Sequence, residues 1–474
     1  MLFTTIGFLL FYIIVYMLYW SMPADKRKYI LAISSLLFYA TWSVPFTFHF
    51  VLLIAINYLL TLRIRNGNSK NWLVLVLALN MINLFFFKYF YFFLGILSDA
   101  TGMSVFSKSV FNEWLSASFD IPEILLPLAI SFYTFQLTAY AIDVYRSTIP
   151  KNETFLDYFI FIMFFPQLIA GPIMRHSDFF FQLKKIRELS LSHSMITGGI
   201  YLLISGITKK ILLADNLIQV TQPVFQNPAA YSWGAAILAC VAFSFQLYLD
   251  FSGYTDLARG LGKLLALELP ENFHAPYFSP SVRELWNNWH RTLTEWLRDY
   301  IYIPLGGHKV SFWRAEFNIV FTMTLCGLWH GASYNFLLLG LYHGVLIAIE
   351  SASIRFFPGK IPVSASMGKY LKPFLVYVLL CAGFVLFLTP DFDAAKLMYA
   401  KIFTRGSGTW ISKPEIILVA GLFTLLFHLV QADIIKPPEK IKTRYILLLS
   451  ASMLTVVLLG KFSPDAQDFF YFQF

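Results

Sequence analysis

The chain has 474 residues, 58% of them hydrophobic and 13% charged, with a formal net charge of +9 and a mean hydropathy of +0.63. A soluble chain carries about 25% charged residues, so half that share leaves too little polar material for a water-facing surface and excludes an ordinary soluble globule. Cys240, Cys326 and Cys381 are scattered without a CxxC, which speaks against a disulfide framework and a zinc site. The basic residues sit mostly in short loops between apolar runs, a pattern of cytoplasmic loops and lipid-headgroup contact, with no nucleic acid as partner.

In chain order, the apolar runs read as candidate spans are Leu2–Trp20, Tyr29–Thr41, Phe46–Leu62, Trp72–Leu94, Ile124–Ile142, Phe155–Ile169, Ile196–Leu213 and Trp233–Phe251. Phe317–Leu328, Phe336–Ile349, Leu371–Leu388, Ile416–Val430 and Tyr445–Leu459 follow. A helix needs about 20 apolar residues to cross the hydrocarbon core, so some of these are too short to cross upright. The expectation is about 11 crossing helices with re-entrant and interfacial pieces: an all-α polytopic protein, one membrane domain over residues 1–474. The first run lacks a basic leader, and Ser21-Met22-Pro23-Ala24 matches a cleavage site poorly; it reads as a retained span.

Lys26-Arg27-Lys28, and Arg63 with Arg65 and Lys70, flank alternate spans, which puts both loops in the cytoplasm and the amino terminus outside. Ser98 to Ile121, with Asp99, Glu113 and Asp120, reads as an external loop. The basic loop with Arg175, Lys184, Lys185 and Arg187 lies inside only if Phe155–Ile169 fails to cross. That run is therefore expected to be re-entrant, and Pro166 to Pro172, with its paired prolines and glycine, breaks a helix where expected. Irregular backbone at that depth survives against protein or a water-filled cavity.

A polar island runs from Gln246 to His343. Gln246, Tyr248, Asp250, Tyr254 and Asp256 close one apolar run; they read as an ordinary polar helix end or as a wall of a reaction cavity, since carboxylates in lipid need partners. From Ser279 to Asp299 the sequence predicts one amphipathic helix, capped by Ser279 with Pro280 at its first position. Trp286, Trp289, Leu293 and Trp296 form its apolar stripe, and Arg291 is placed to pair with Glu295 one turn on. Such a helix lies at the interface. His290 adjoins the stripe beside Asn287, and reads equally as structural or functional.

His330 sits in Gly327-Leu328-Trp329-His330-Gly331, deep in apolar sequence. An ionisable side chain there is a functional hypothesis by default, and burial favours the neutral imidazole that proton abstraction needs. The competing reading is a core histidine bonded to a carbonyl. Cys326, four residues earlier, reads as packing rather than a nucleophile. His343 is placed to line the same cavity, while His274 and His308 read as loop residues. With no HExxH, phosphate loop or GxSxG, no metal site is expected, and a nucleotide-driven pump and a serine hydrolase are disfavoured.

The run Trp286-x-x-Trp289-His290, the Arg298-Asp299-Tyr300-Ile301-Tyr302-Ile303-Pro304-Leu305-Gly306-Gly307 tail and Gly327-Leu328-Trp329-His330-Gly331 closely resemble the membrane-bound O-acyltransferase (MBOAT) family. Within it they are similar to the alginate O-acetylase branch of bacterial polysaccharide acetyltransferases. Ser131–Gln136, Asp143–Arg146, Phe165–Pro172 and Asp250–Asp256 agree, so the resemblance covers about residues 131–344. It implies a ring of helices around a central tunnel, with His330 and His290 catalytic near the constriction. Trp286, Asn287, Trp289, Trp329, Asp250, Tyr254, Gln246 and His343 are candidates for the tunnel wall. It implies a bacterial inner-membrane enzyme that needs no cofactor and takes acetyl groups from cytoplasmic acetyl-CoA. The acceptor is an extracytoplasmic polysaccharide such as alginate or peptidoglycan, reached with an SGNH-type extracytoplasmic transferase as partner. A D-alanyl or lipid acyltransferase of the same family is an alternative. So is a proton-coupled transporter using Asp250, Asp256, Arg259 and His330, although no paired halves are visible.

Overall fold

The computed structural model describes residues 3–67, 69–149, 153–357 and 365–435. The expected span Tyr445–Leu459 lies outside them. All regular elements among the described residues are helical, with one isolated bridge between Tyr231 and Thr409. The described residues divide into two compact units, 10–190 and 3–9 with 191–435.

In the first unit, α1 (Ile6–Ser21, counted here from Leu10), α2 (Arg27–Ala40), α3 (Val44–Gly67) and α4 (Lys70–Leu84) precede a π-turn, Phe85–Tyr89, that runs on into α5 (Phe90–Thr101). Then come α6 (Lys108–Phe119), α7 (Ile130–Tyr145), α8 (Phe155–Met163), α9 (Phe165–Leu168) and α10 (His176–Lys184). The acidic stretch Ser98 to Ile121, expected as a loop, is thus largely helical. α7 starts only at Ile130, because Ala129 takes a left-handed φ of 62°. In α3 and α4, Asn57 and Asn80 exchange amide hydrogen bonds of 3.0 and 2.9 Å, satisfying two buried polar groups that lipid cannot.

α8 begins with a reciprocal cap, Thr154 accepting from the Asp157 N–H and Asp157 from the Thr154 N–H, and Asp157 also takes a 2.6 Å ion pair from Lys28. At nine residues it covers about 14 Å, too short to cross. Phe164 breaks it, and residues from Asp157 to Leu168 are buried in protein, the setting expected for a non-crossing segment.

The second unit holds α11 (His193–Ile207), joined by a π-turn, Thr208–Ala214, to α12 (Asp215–Gln226), then α13 (Trp233–Leu264), α14 (Val282–Asn288), α15 (Arg291–Leu297), α16 (Phe312–His330), α17 (Tyr334–Phe356), α18 (Ala365–Leu388), α19 (Phe392–Phe403) and α20 (Glu415–Gln431). Its 32-residue spine, α13, packs against α11, α12, α18, α19 and α20. Of its most apolar stretch 72% is buried, against 22% for Lys70–Thr101, so α13 faces protein where Lys70–Thr101 faces outward. Among the described residues, six helices are long and apolar enough to cross a membrane: Val44–Gly67, Lys70–Thr101, His193–Gln226, Trp233–Leu264, Tyr334–Phe356 and Gly368–Leu388. Ile6–Ser21 and Glu415–Gln431 are shorter apolar helices.

Candidate active site

The site is built where the expected single helix from Ser279 to Asp299 breaks. The cap is Ser281, which accepts from the Glu284 N–H; Ser279 instead accepts from the Asn288 side chain at 3.1 Å. α14 ends at Asn288 and α15 begins at Arg291, because His290 takes a left-handed φ of 44°. Asn272 braces that turn. Its carbonyl accepts the Arg291 N–H at 3.0 Å, and its side-chain oxygen accepts the Thr292 hydroxyl at 2.6 Å. A non-glycine residue held left-handed costs about 1–3 kcal/mol, and such strain gathers at functional sites. The anticipated Arg291–Glu295 pair gives way to Arg291–Glu271 at 3.8 Å, although both residues of the anticipated pair lie on α15.

The break turns His290 fully inward, to 0% exposure. Its ring meets Phe251 edge-on at 4.7 Å and Trp329 at 5.9 Å. Neither flanking helix, at seven residues, is long enough to cross; burial, and then the nearby His330, hold this imidazole well below its ordinary value of 6.5, which keeps it neutral. Asn287 is exposed and faces away from the cavity.

His330 is the last residue of α16, where Gly331 leaves the helix extended. It is buried, its ring 5.0 Å from Trp329 and 5.7 Å from Phe387. Trp329 therefore neighbours both histidines. α16 reaches α17 through Gly327 and Gly340: a Cβ at Gly327 would collide with the Phe336 carbonyl and the Gly340 backbone. Gly327 thus lets the two helices approach closely.

His330 opens on a narrow cavity of about 30 Å³, room for roughly two water molecules. Its walls include Trp286, Trp289, Cys326, Gly327 and His343, with Met323, Leu339, Leu380, Phe384 and Phe387 as apolar lining. His343 thus joins His330. Its Nδ1–H donates to the Leu339 carbonyl at 3.0 Å, so in the neutral ring Nε2 is an acceptor.

Five candidates for the wall are not in its lining: Asn287, Trp329 and three residues further along the fold. Gln246 accepts the Thr221 hydroxyl at 2.6 Å, Asp250 takes Lys210 at 2.6 Å, and Tyr254 stacks on Phe3 at 4.9 Å. All three sit on α13, whose contribution to the cavity is Leu247. All three lie inside α13, not at its end as the polar-helix-end reading had it, and the buried carboxylates Asp250 and Asp256 are held there by lysines. Sequence reasoning missed those partners, Lys209 and Lys210 in the π-turn, though two lysines inside an apolar run facing two aspartates in another were a visible signal. It also missed Leu380, Phe384 and Phe387 of α18, which no pattern separates from lipid-facing residues. His274 and His308 are loop residues, as read. No cluster of three metal-ligating side chains occurs among the described residues.

A family profile described as MBOAT, membrane-bound O-acyltransferase family, matches residues 148–389, which includes both histidines, the break and the cavity. The chain belongs to the membrane-bound O-acyltransferase family. It is similar to the probable alginate O-acetylase AlgI of Azotobacter vinelandii, 35% identical over 83% of this chain and 76% of that one. A peptidoglycan O-acetyltransferase of Helicobacter pylori is 34% identical over 74% of this chain and 68% of that one. A teichoic acid D-alanyltransferase of Streptococcus thermophilus is 27% identical over 48% of this chain and 57% of that one. This MBOAT protein is a multi-pass membrane O-acyltransferase.

Proposed function

We propose that the protein moves acetyl groups from a cytoplasmic thioester, acetyl-CoA, across the bacterial inner membrane for O-acetylation of an extracytoplasmic polysaccharide of the alginate or peptidoglycan kind. The observation that carries this is His330 at the end of α16, opening on a narrow apolar cavity. His330 takes the proton of the acceptor hydroxyl as its oxygen bonds to the acetyl carbon; the carbon–sulfur bond breaks, and the thiolate receives the proton from the imidazolium. His290, held neutral beside Trp329, steadies the oxyanion or the donor. Basic loops draw in the donor's phosphates. An SGNH-type transferase outside the membrane takes the acetyl group onward. The names of the relatives, two acetyl-transferring proteins at 35% and 34% identity, favour acetyl.

The cavity's lining supports the same choice. A D-alanyl group carries an ammonium that needs an anion when desolvated, and the described residues lining the cavity offer no carboxylate. Asp250 and Asp256, the carboxylates a proton pathway would use, are both held by lysines. The test is inside-out membrane vesicles carrying the full chain, given labelled acetyl-CoA and luminal polysaccharide. Label in the polysaccharide and free thiol outside is the expected result. Turnover of a D-alanyl carrier thioester with acetyl-CoA untouched would overturn it.

A further inference from the structure

α20 lies outside residues 148–389, the stretch that the family profile matches, yet its last turn holds the segment that builds the break at His290. Gln431 ends the helix. Its side-chain oxygen accepts two hydrogen bonds, from the Ala275 N–H at 2.8 Å and from the Tyr248 hydroxyl at 3.1 Å. Ala275, buried and not a glycine, takes a left-handed φ of 45°, close to the 44° at His290. Such backbone persists only where its surroundings over-determine it. The segment that ends at Ala275 is the brace of the break: Asn272 accepts from Arg291 and Thr292, and the His274 N–H donates to the Asn288 carbonyl at 3.0 Å.

A second thread from α20 reaches the same place. The His428 ring, three residues before Gln431, stacks on Tyr277 at 4.9 Å with planes at 18°. Tyr277 in turn lies nearly parallel to Trp289 at 6.2 Å and 24°, and its hydroxyl donates to the Ser244 carbonyl at 2.6 Å. Trp289 is a wall of the cavity beside His330 and the residue before His290. We infer that Gln431 is a positioning residue of the acyl-transfer site: its oxygen fixes the strained turn at Ala275 and, through residues 272–275, holds the His290 imidazole inward against Trp329. Without that oxygen two buried donors are left unsatisfied, which costs more than a lost hydrogen bond, and the turn relaxes to reach other partners. Gln431 touches no reacting atom. The inference rests on the reading of His290 as the group that steadies the oxyanion or the donor.

The test uses the full chain in native membrane vesicles, with rates compared per amount of folded protein. Gln431→Met keeps the length of the side chain and removes the acceptor; Gln431→Glu keeps an oxygen in the same place. The methionine variant should transfer acetyl from acetyl-CoA several-fold more slowly, and the glutamate variant should keep most of the wild-type rate. In a His290→Asn background the methionine change should cost little more, because the group it positions is already gone, whereas a merely structural role would multiply the two losses in full. Carbethoxylation of His290 by diethyl pyrocarbonate, read by peptide mass spectrometry, follows the turn without any acyl donor. It should be slight in the wild type, where the ring is fully buried, and several-fold greater in Gln431→Met but not in Gln431→Glu. Losses that multiply in full, or a His290 as protected in the methionine variant as in the wild type, overturn the positioning role. A wild type that transfers no acetyl from acetyl-CoA defeats the functional reading instead, and the labelling then decides on the turn alone.

Discussion

Two polar islands lie inside the second unit, and they treat their polar atoms differently. Between the π-turn and α13, Lys209 meets Asp256 at 2.7 Å, and Lys210 meets Asp250 at 2.6 Å and Asp215 at 2.8 Å. Ser205 adds a 2.8 Å hydrogen bond to Asp256. Beside His330, by contrast, the indole N–H of Trp286 and Nε2 of His343 are buried with no hydrogen-bond partner, next to a small apolar cavity. Charges closed on one another hold helices in register. Neutral groups beside a small chamber make no such ties. Polarity inside a membrane helix is therefore not by itself a sign of chemistry; what the polar atom faces decides.

The largest expected effect falls on the closed island. Lys209→Met leaves buried Asp256 with only the more distant Arg259, at 3.9 Å, for a cation and should cost about 3–5 kcal/mol of stability, read as a fall in the thermal midpoint in detergent. Lys209→Met with Asp256→Leu should recover most of it, because no lone charge remains. If the single variant melts like the wild type, the closed island holds nothing together and the contrast dissolves.

His290→Asn sharpens the other side. Asparagine tolerates the left-handed backbone, so the turn survives while the imidazole is lost, and acetyl transfer should fall about ten-fold, or roughly 1.4 kcal/mol, at unchanged stability. His290→Ala should lose stability as well. Full activity in the asparagine variant would make His290 a turn residue and nothing more.

The smallest effect is in the first unit, where Arg65 reaches Glu153 at 3.0 Å and the Tyr140 hydroxyl at 3.1 Å. Burial outweighs that cation and holds the Glu153 carboxyl above its ordinary 4.5. A carboxyl raised in the folded state favours folding below 4.5 and loses that contribution as pH rises through its folded value. Glu153→Gln should therefore change stability at pH 7 by less than about 0.5 kcal/mol and flatten the stability–pH curve just above 4.5. A large loss at pH 7 would show the pair to be a strong tie.

Much of this was legible in the sequence. The apolar runs marked the long helices, and the prolines around Pro166 marked the break after α8. Gly327-Leu328-Trp329-His330-Gly331 named the helix end at the cavity, because a histidine in apolar sequence with glycine one turn away has few structural uses. The break at His290 was not legible. Its left-handed turn depends on Asn272, 18 residues upstream, and local spacing gave an unbroken helix. Nor was the wall from α18, since Phe384 and Phe387 differ from lipid-facing phenylalanines only in what they touch. Asp250 was misplaced because its partner sits 40 residues away.

The most direct measurement is the initial rate of acetyl transfer by matched amounts of wild-type and His330→Ala protein in the same vesicles, with the thermal midpoint of each. A catalytic base contributes about 10²–10⁴-fold, so the rate should drop at least about a hundredfold while the midpoint stays put. A variant that keeps the wild-type rate would remove His330 from the chemistry and contradict the account.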